Sequence, residues 1–299
     1  MKLHGIFAPL TTPYEADGSV SLAHLRNNIA RYNQTGLAGY AMNGSTGESV
    51  LQLWDDIYRM WETAREVAAP SKILIAGTGA ESTSETIEHT NRAASLGYPV
   101  ALVRTPSFYK PAMSESALAE HYLRVADAAR IPILVYSVPV FTHITVEAPL
   151  VARVSKHPNI VGMKDSSGSV QGIADIIARA PKEFQTLAGS ASTLYESLEK
   201  GAVGAILALA CAFPDLCVEI YEAARAGDKV RAHSLAQKLI APAKMFGPQY
   251  GIAGLKYALD RLGYHGGAPR GPLWPVDTSA QAEIDTMLSN LMTQTAHQL

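Results

Sequence analysis

Lys164 stands at the end of a short apolar run, Ile160-Val161-Gly162-Met163, and small polar residues follow it, Asp165-Ser166-Ser167-Gly168. A strand buried on both faces of a parallel sheet reads as a continuous apolar run. A lysine at its carboxyl end then faces the mouth of the sheet, where α/β folds bind ligands. Desolvation disfavours a charged amine, and a neutral amine attacks a ketone to form a Schiff base. A surface charge at a strand end is the plainer alternative for this segment alone.

Two other run ends carry candidate chemistry. Gly44-Ser45-Thr46-Gly47-Glu48 combines small residues and hydroxyls before a helical pattern. Exposed backbone N–H groups in such a turn suit a carboxylate, although Ser and Thr there could equally cap the next helix. Tyr136-Ser137-Val138-Pro139 places a phenol at a strand end. That phenol could pass protons or simply bond a backbone partner. Adjacent strands lie about 4.8 Å apart, so Tyr136 and Lys164 become neighbours if both point inward.

The elements that must position these residues alternate along the chain. Strand candidates fall at 5–10, 39–43, 73–77, 100–104, 133–137, 160–164, 184–188 and 205–208. Helical patterns separate them. Leu22, Leu25, Ile29 and Tyr32 share a face, with Ser21 as N-cap and Gly36 as the stop. Trp54, Ile57, Trp61, Ala64 and Ala68 repeat this before Pro70; Leu118, Tyr122, Val125 and Ala129 before Pro132; Ile173, Ile176 and Ile177 before Pro181. Parallel strands need such crossovers. A (β/α)8 TIM barrel over residues 1–212 is the simplest closure. An open doubly wound sheet is the rival, but its Gly-rich first crossover is missing at Thr11-Thr12-Pro13. Residues 213–299 read as additional C-terminal helices packed on the barrel, with breaks at Gly227, Gly247 and Gly251 and a last helix over 280–292.

Composition narrows the function classes. Of 299 residues, 47% are hydrophobic and 17% charged, and the net charge is -2, which gives no reason to expect nucleic acid. The longest apolar run, 201–213, is too short for a bilayer. Cys211 and Cys217 read as buried thiols, and the first residues show no leader pattern, so the expectation is a cytoplasmic protein. None of the nine histidines, His143 and His265 included, stands at metal-ligand spacing, and no metal is expected.

Together these motifs resemble those of the dihydrodipicolinate synthase and N-acetylneuraminate lyase superfamily of pyruvate-handling class I aldolases. The hydroxyl loop at 44–48, Tyr-x-x-Pro at 136–139 and Gly-x-Lys-Asp at 162–165 occur in that family's order, and the likeness runs nearly full length. The resemblance implies that Lys164 carries the Schiff base and that Tyr136 is the general acid/base. It implies that Ser45 and Thr46 bind the pyruvate carboxylate and assist proton relay, and that Gly189 and Ile206 line the pyruvate pocket. The covalent imine on Lys164 takes the place of a cofactor. A homotetramer built as a dimer of dimers is implied as well.

Within the family the chain is more similar to the 4-hydroxy-2-oxoglutarate aldolases. It shares their Ser137, the run from His157 to Ser166, Leu187-Ala188-Gly189-Ser190-Ala191, and Tyr250-Gly251-Ile252-Ala253-Gly254-Leu255-Lys256 with Gly263-Tyr264 and Gly266-Gly267. Ser166 then contacts substrate. The implied reaction joins pyruvate to an aldehyde such as glyoxylate, or reverses that step. The alternatives are 4-hydroxy-tetrahydrodipicolinate synthase, a 2-keto-3-deoxy sugar acid aldolase or dehydratase, and an inactive pyruvate-binding protein. Two positions depart from the family pattern. Dihydrodipicolinate synthases place an arginine where this chain has Phe141, which cannot form a bidentate ion pair with a carboxylate. The family's relay tyrosine from a neighbouring subunit falls on Phe108, with Tyr109 next to it. Either Tyr109 substitutes, or the relay ends at Thr46 and water.

Overall fold

The computed structural model describes residues 1–296. The last three positions of the expected C-terminal extension, 297–299, lie outside the described residues. Eight parallel strands close into a barrel in sequence order: β1 (Gly5–Pro9), β2 (Gly39–Met42), β3 (Ile73–Gly77), β4 (Val100–Arg104), β5 (Ile133–Ser137), β6 (Ile160–Asp165), β7 (Gln185–Ala188) and β8 (Gly204–Ile206). β8 pairs back onto β1, which removes every edge. The open-sheet rival is thereby excluded.

Alternation along the strands makes two cores. Phe7, Ala41, Ile75, Leu102, Leu134, Leu187 and Ile206 fill the barrel, and Tyr136 sits above Leu134 in the same cluster. The residues between them, such as Ala101, Val103, Ile133, Val135 and Met163, pack outward against helices. This period of two is what sends Tyr136 to the axis while Val135 faces the shell. The helix Leu22–Tyr32 is capped by Ser21, whose hydroxyl accepts from His24 N. Helices Trp54–Val67, Glu115–Ala128 and Val170–Arg179 follow the expected faces and end ahead of Pro70, Pro132 and Pro181.

Several boundaries differ from expectation. The first helix stops at Tyr32 rather than at Gly36, because Gln34 N and Thr35 N bond carbonyls three residues back in a tightened turn. β8 ends at Ile206 because Leu209–Ala212 winds into a short helix, which its alanines favour. Phe184 belongs to a turn closed by its N–H on Pro181 O, so β7 begins one residue later. Beyond the barrel lie helices Pro214–Arg225, Lys229–Gln237, Ile240–Lys244 and Gly251–Arg261, with a π-helical turn at Met245–Gln249. The final helix, Thr278–Ala296, is longer than the stretch expected from 280 to 292. Among the described residues no helix is long and apolar enough to cross a membrane.

Candidate active site

The register of β4, β5 and β6 aligns Arg104 with Tyr136 and Tyr136 with Lys164. Three polar side chains thus stand at neighbouring strand ends, next to the apolar cluster that fills the barrel. Lys164 and Tyr136 are each 4% exposed. Lys164 Nζ donates to Tyr136 Oη at 3.3 Å and lies 4.3 Å from the centre of the phenol ring. Ser45 Oγ sits 3.4 Å from the same phenolic oxygen. Burial by itself raises the pKa of Tyr136, but the charge of Lys164 and hydrogen bonds from Ser45, Lys164 and Ser166 outweigh it, and the phenol is held below its ordinary value.

The hydroxyl loop is a 3-10 turn, Ser45–Gly47, entered through Asn43 in left-handed conformation and left through Glu48, also left-handed. Ser45 and Thr46 are half-buried on this turn. Gly47 O is pinned by Thr12 Oγ1 and by Gln52 Nε2, both at 2.8 Å.

Ser166 and Gly189 meet just beyond the ends of β6 and β7. Ser166 N bonds Ser137 O at 2.9 Å, continuing the sheet beyond β6. Asp165 turns away from the axis and accepts from Ser167 N and Ser167 Oγ, at 2.8 and 2.9 Å. Burial pushes its carboxyl up despite those bonds. Gly189 N bonds Asp165 O at 2.7 Å. A Cβ on Gly189 would lie 2.0 Å from Ser166 Oγ and 2.9 Å from Asp165 O, so only glycine permits this approach. Ile206 is fully buried in the barrel interior with Tyr136.

Phe141, Phe108 and Tyr109 are placed differently. Phe141 is 60% exposed on the short turn Pro139–Thr142 after β5. Phe108 and Tyr109 are 78% and 71% exposed, and their rings meet edge to face at 5.1 Å.

Two ion pairs near the mouth escaped the sequence reading. Arg104 Nη1 bonds Glu81 Oε1 at 2.6 Å, and Glu81 Oε2 accepts the N–H groups of Ser107 and Phe108, which shapes the loop after β4. Glu48 Oε1 accepts from Lys256 Nζ at 2.8 Å, with both side chains fully buried. A charged residue inside the apolar face Leu255, Ala258 and Leu259 was the one available signal for the second pair.

The geometry agrees with what this chain resembles as a whole. The model of the Dihydrodipicolinate synthetase family matches residues 2–291. A 4-hydroxy-tetrahydrodipicolinate synthase of Exiguobacterium sp. is 31% identical over 280 residues, covering 94% of this chain and 95% of the relative. An Emericella nidulans protein named "Probable 4-hydroxy-2-oxoglutarate aldolase, mitochondrial" is 33% identical over 273 residues, covering 90% and 88%. The crystal structure of an Acinetobacter baumannii dihydrodipicolinate synthase, complexed with pyruvate, superposes with a TM-score of 0.93 at 28% identity, covering 97% of this chain and 99% of that one. A match of this length, on a closed (β/α)8 barrel, means that the chain belongs to the dihydrodipicolinate synthetase family of lyases.

Proposed function

We propose that this protein is a pyruvate-dependent Schiff-base aldolase whose nucleophile is Lys164. The observation that carries this reading is the buried contact of 3.3 Å between Lys164 Nζ and Tyr136 Oη. Neutral Nζ attacks the C2 ketone of pyruvate or of a 4-hydroxy-2-oxo acid, and loss of water leaves a protonated imine. In the cleavage direction Tyr136, as phenolate, takes the proton of the C4 hydroxyl. The C3–C4 bonding pair flows into the iminium, an aldehyde departs, and an enamine remains. Protonation at C3 and addition of water return pyruvate and free Lys164. Ser45, Thr46 and the turn that carries them hold the carboxylate next to the imine. Ser166 and Gly189 bound the pocket opposite.

Two acceptors are in play. The synthase relatives favour aspartate semialdehyde, as in 4-hydroxy-tetrahydrodipicolinate synthesis, and this reading has the broader support from similarity. Phe141 weighs against aspartate semialdehyde, and so toward another acceptor such as glyoxylate, since an exposed phenyl ring stands where the resemblance places the arginine for that substrate's distal carboxylate. The Emericella relative's name supports the same choice. Assays with pyruvate and each aldehyde in turn decide between them. Reduction with borohydride in the presence of pyruvate tests the shared step. A pyruvate adduct mapped to Lys164 is expected, and an unlabelled Lys164 overturns the proposal. Exposed Phe108, Tyr109, Val50 and Leu53 on the loops after β2 and β4 fit burial against a second copy of the chain, as the tetramer reading requires.

A further inference from the structure

The C-terminal segment reaches the outlet of the hydroxyl loop through Lys256 and Arg270. Lys256, on helix Gly251–Arg261, is 0% exposed and lies 208 residues from Glu48 in sequence. Its ammonium has three protons and three partners: Thr12 O, Glu48 Oε1 and Ala268 O, each at 2.8 Å. The second oxygen of Glu48 accepts the backbone N–H of Arg270 at 2.7 Å. The Arg270 side chain continues the clasp through Leu51 O at 3.2 Å and Gly18 O at 2.8 Å. Tyr14 covers the assembly, with Lys256 Nζ 4.6 Å and Arg270 Cζ 4.5 Å from its ring centre.

What this clasp grips is the outlet of the hydroxyl loop. Glu48 is the residue after the Ser45–Gly47 turn, and its backbone is left-handed at φ 61 and ψ 31. A residue with a side chain adopts that conformation only where its surroundings over-determine it. A three-residue 3-10 turn has little stability of its own. Replacing a buried ion pair by apolar groups is often neutral or favourable for stability, so stability alone does not explain this pair. Position does. A carboxylate held at both oxygens fixes where the turn ends, and Thr12 joins the two systems by bonding Gly47 O through its hydroxyl and Lys256 through its carbonyl.

We propose that Glu48 and Lys256 are positioning residues, which set the Ser45–Gly47 turn for carboxylate binding from the C-terminal side of the chain. The inference rests on the pyruvate reading above and adds residues that do not touch substrate. Its test uses Glu48→Gln, which keeps an acceptor in place and removes the charge, and the neutral pair Glu48→Gln with Lys256→Met. Folding is checked by circular dichroism and thermal melting. In the folded double variant KM for pyruvate rises by roughly 10-fold or more, while kcat at saturation stays within about 3-fold, as expected for a displaced binding turn beside an intact lysine. Borohydride trapping on Lys164 at saturating pyruvate reaches the wild-type extent. Glu48→Gln alone gives a smaller rise of KM in the same direction. Unchanged KM in either folded variant, or a fall confined to kcat, overturns the proposal. If the double variant does not fold, Glu48→Gln alone decides. Failure of the wild-type protein to form the imine sinks the functional reading instead, and the two failures are thereby told apart.

Discussion

Lys164 and Tyr136 are paired residues of adjacent strands, and the amine of one bonds the phenol of the other at 3.3 Å inside the barrel mouth. Neither group is solvated well enough to be indifferent to the other. In the proposed reaction, the phenol stands beside the amine and within reach of a departing oxygen. That relationship makes separate predictions for the two residues.

The proposed role of Lys164 is tested by removing its amine. Lys164→Ala is expected to give no borohydride-trapped pyruvate adduct and no measurable turnover. Tyr136→Phe keeps the ring against Lys164 but loses the phenolic proton, and should slow turnover by roughly 100-fold or more while still trapping pyruvate. Mass spectrometry of the adduct and steady-state rates check both, and near-normal rates in either variant count against the assigned roles.

How much of this was legible in the sequence depended on period and register. The continuous apolar runs located all eight strands, and alternation sent Tyr136 and Lys164 to the same side once the strands were parallel neighbours. Helix ends marked by proline were read well, because proline forbids the next turn on its own. Ends marked by glycine were read less well. Gly36 is preceded by turns at residues 33–35 that no local composition distinguishes from helix. The Glu48–Lys256 pair could not be read, since nothing local in either residue reports a partner 208 positions away. Nor could the exposure of Phe141, which depends on the turn Pro139–Thr142 lifting it off the barrel.

Phe141 offers the sharpest test of acceptor choice. Its ring is 60% exposed, so an arginine fits there without disturbing the core. Phe141→Arg introduces a bidentate donor for a distal carboxylate. If aspartate semialdehyde is a poor acceptor of the natural chain, the substitution should raise its kcat/KM by about 10-fold or more relative to glyoxylate. Equal use of both aldehydes before and after the change would show that this position does not set specificity.

Gly189 is predicted to tolerate no side chain. A methyl group there meets Ser166 Oγ and the Asp165 carbonyl inside contact distance. Gly189→Ala should cost about 1–3 kcal/mol of stability and weaken pyruvate binding, because Ser166 must leave its place near the phenol. Urea unfolding and KM for pyruvate measure the two effects. A variant with unchanged KM would remove Ser166 and Gly189 from the pocket.

The acid side of the stability profile should report a buried histidine, His121. His121 is buried behind β4, with Nδ1 bonded to Thr83 Oγ1 at 2.9 Å and Nε2 buried without a hydrogen-bond partner among the described residues. Burial is the main cause of its low basicity; Glu81 opposes it and Arg104 adds to it, and the imidazole is pushed down to about 4. The unfolded chain, with an ordinary value of 6.5, then binds more protons than the native state between those limits. Stability must therefore rise with pH across that window and fall as the solution is acidified through it, by up to about 3 kcal/mol. His121→Leu has no such proton to take up, although it strands the Thr83 hydroxyl. Urea midpoints measured at intervals from pH 6.5 to pH 4 should slope less steeply for the variant than for the natural chain. Parallel slopes would mean that His121 is protonated as readily in the fold as outside it, and that water reaches a site which the packing of helix Glu115–Ala128 closes.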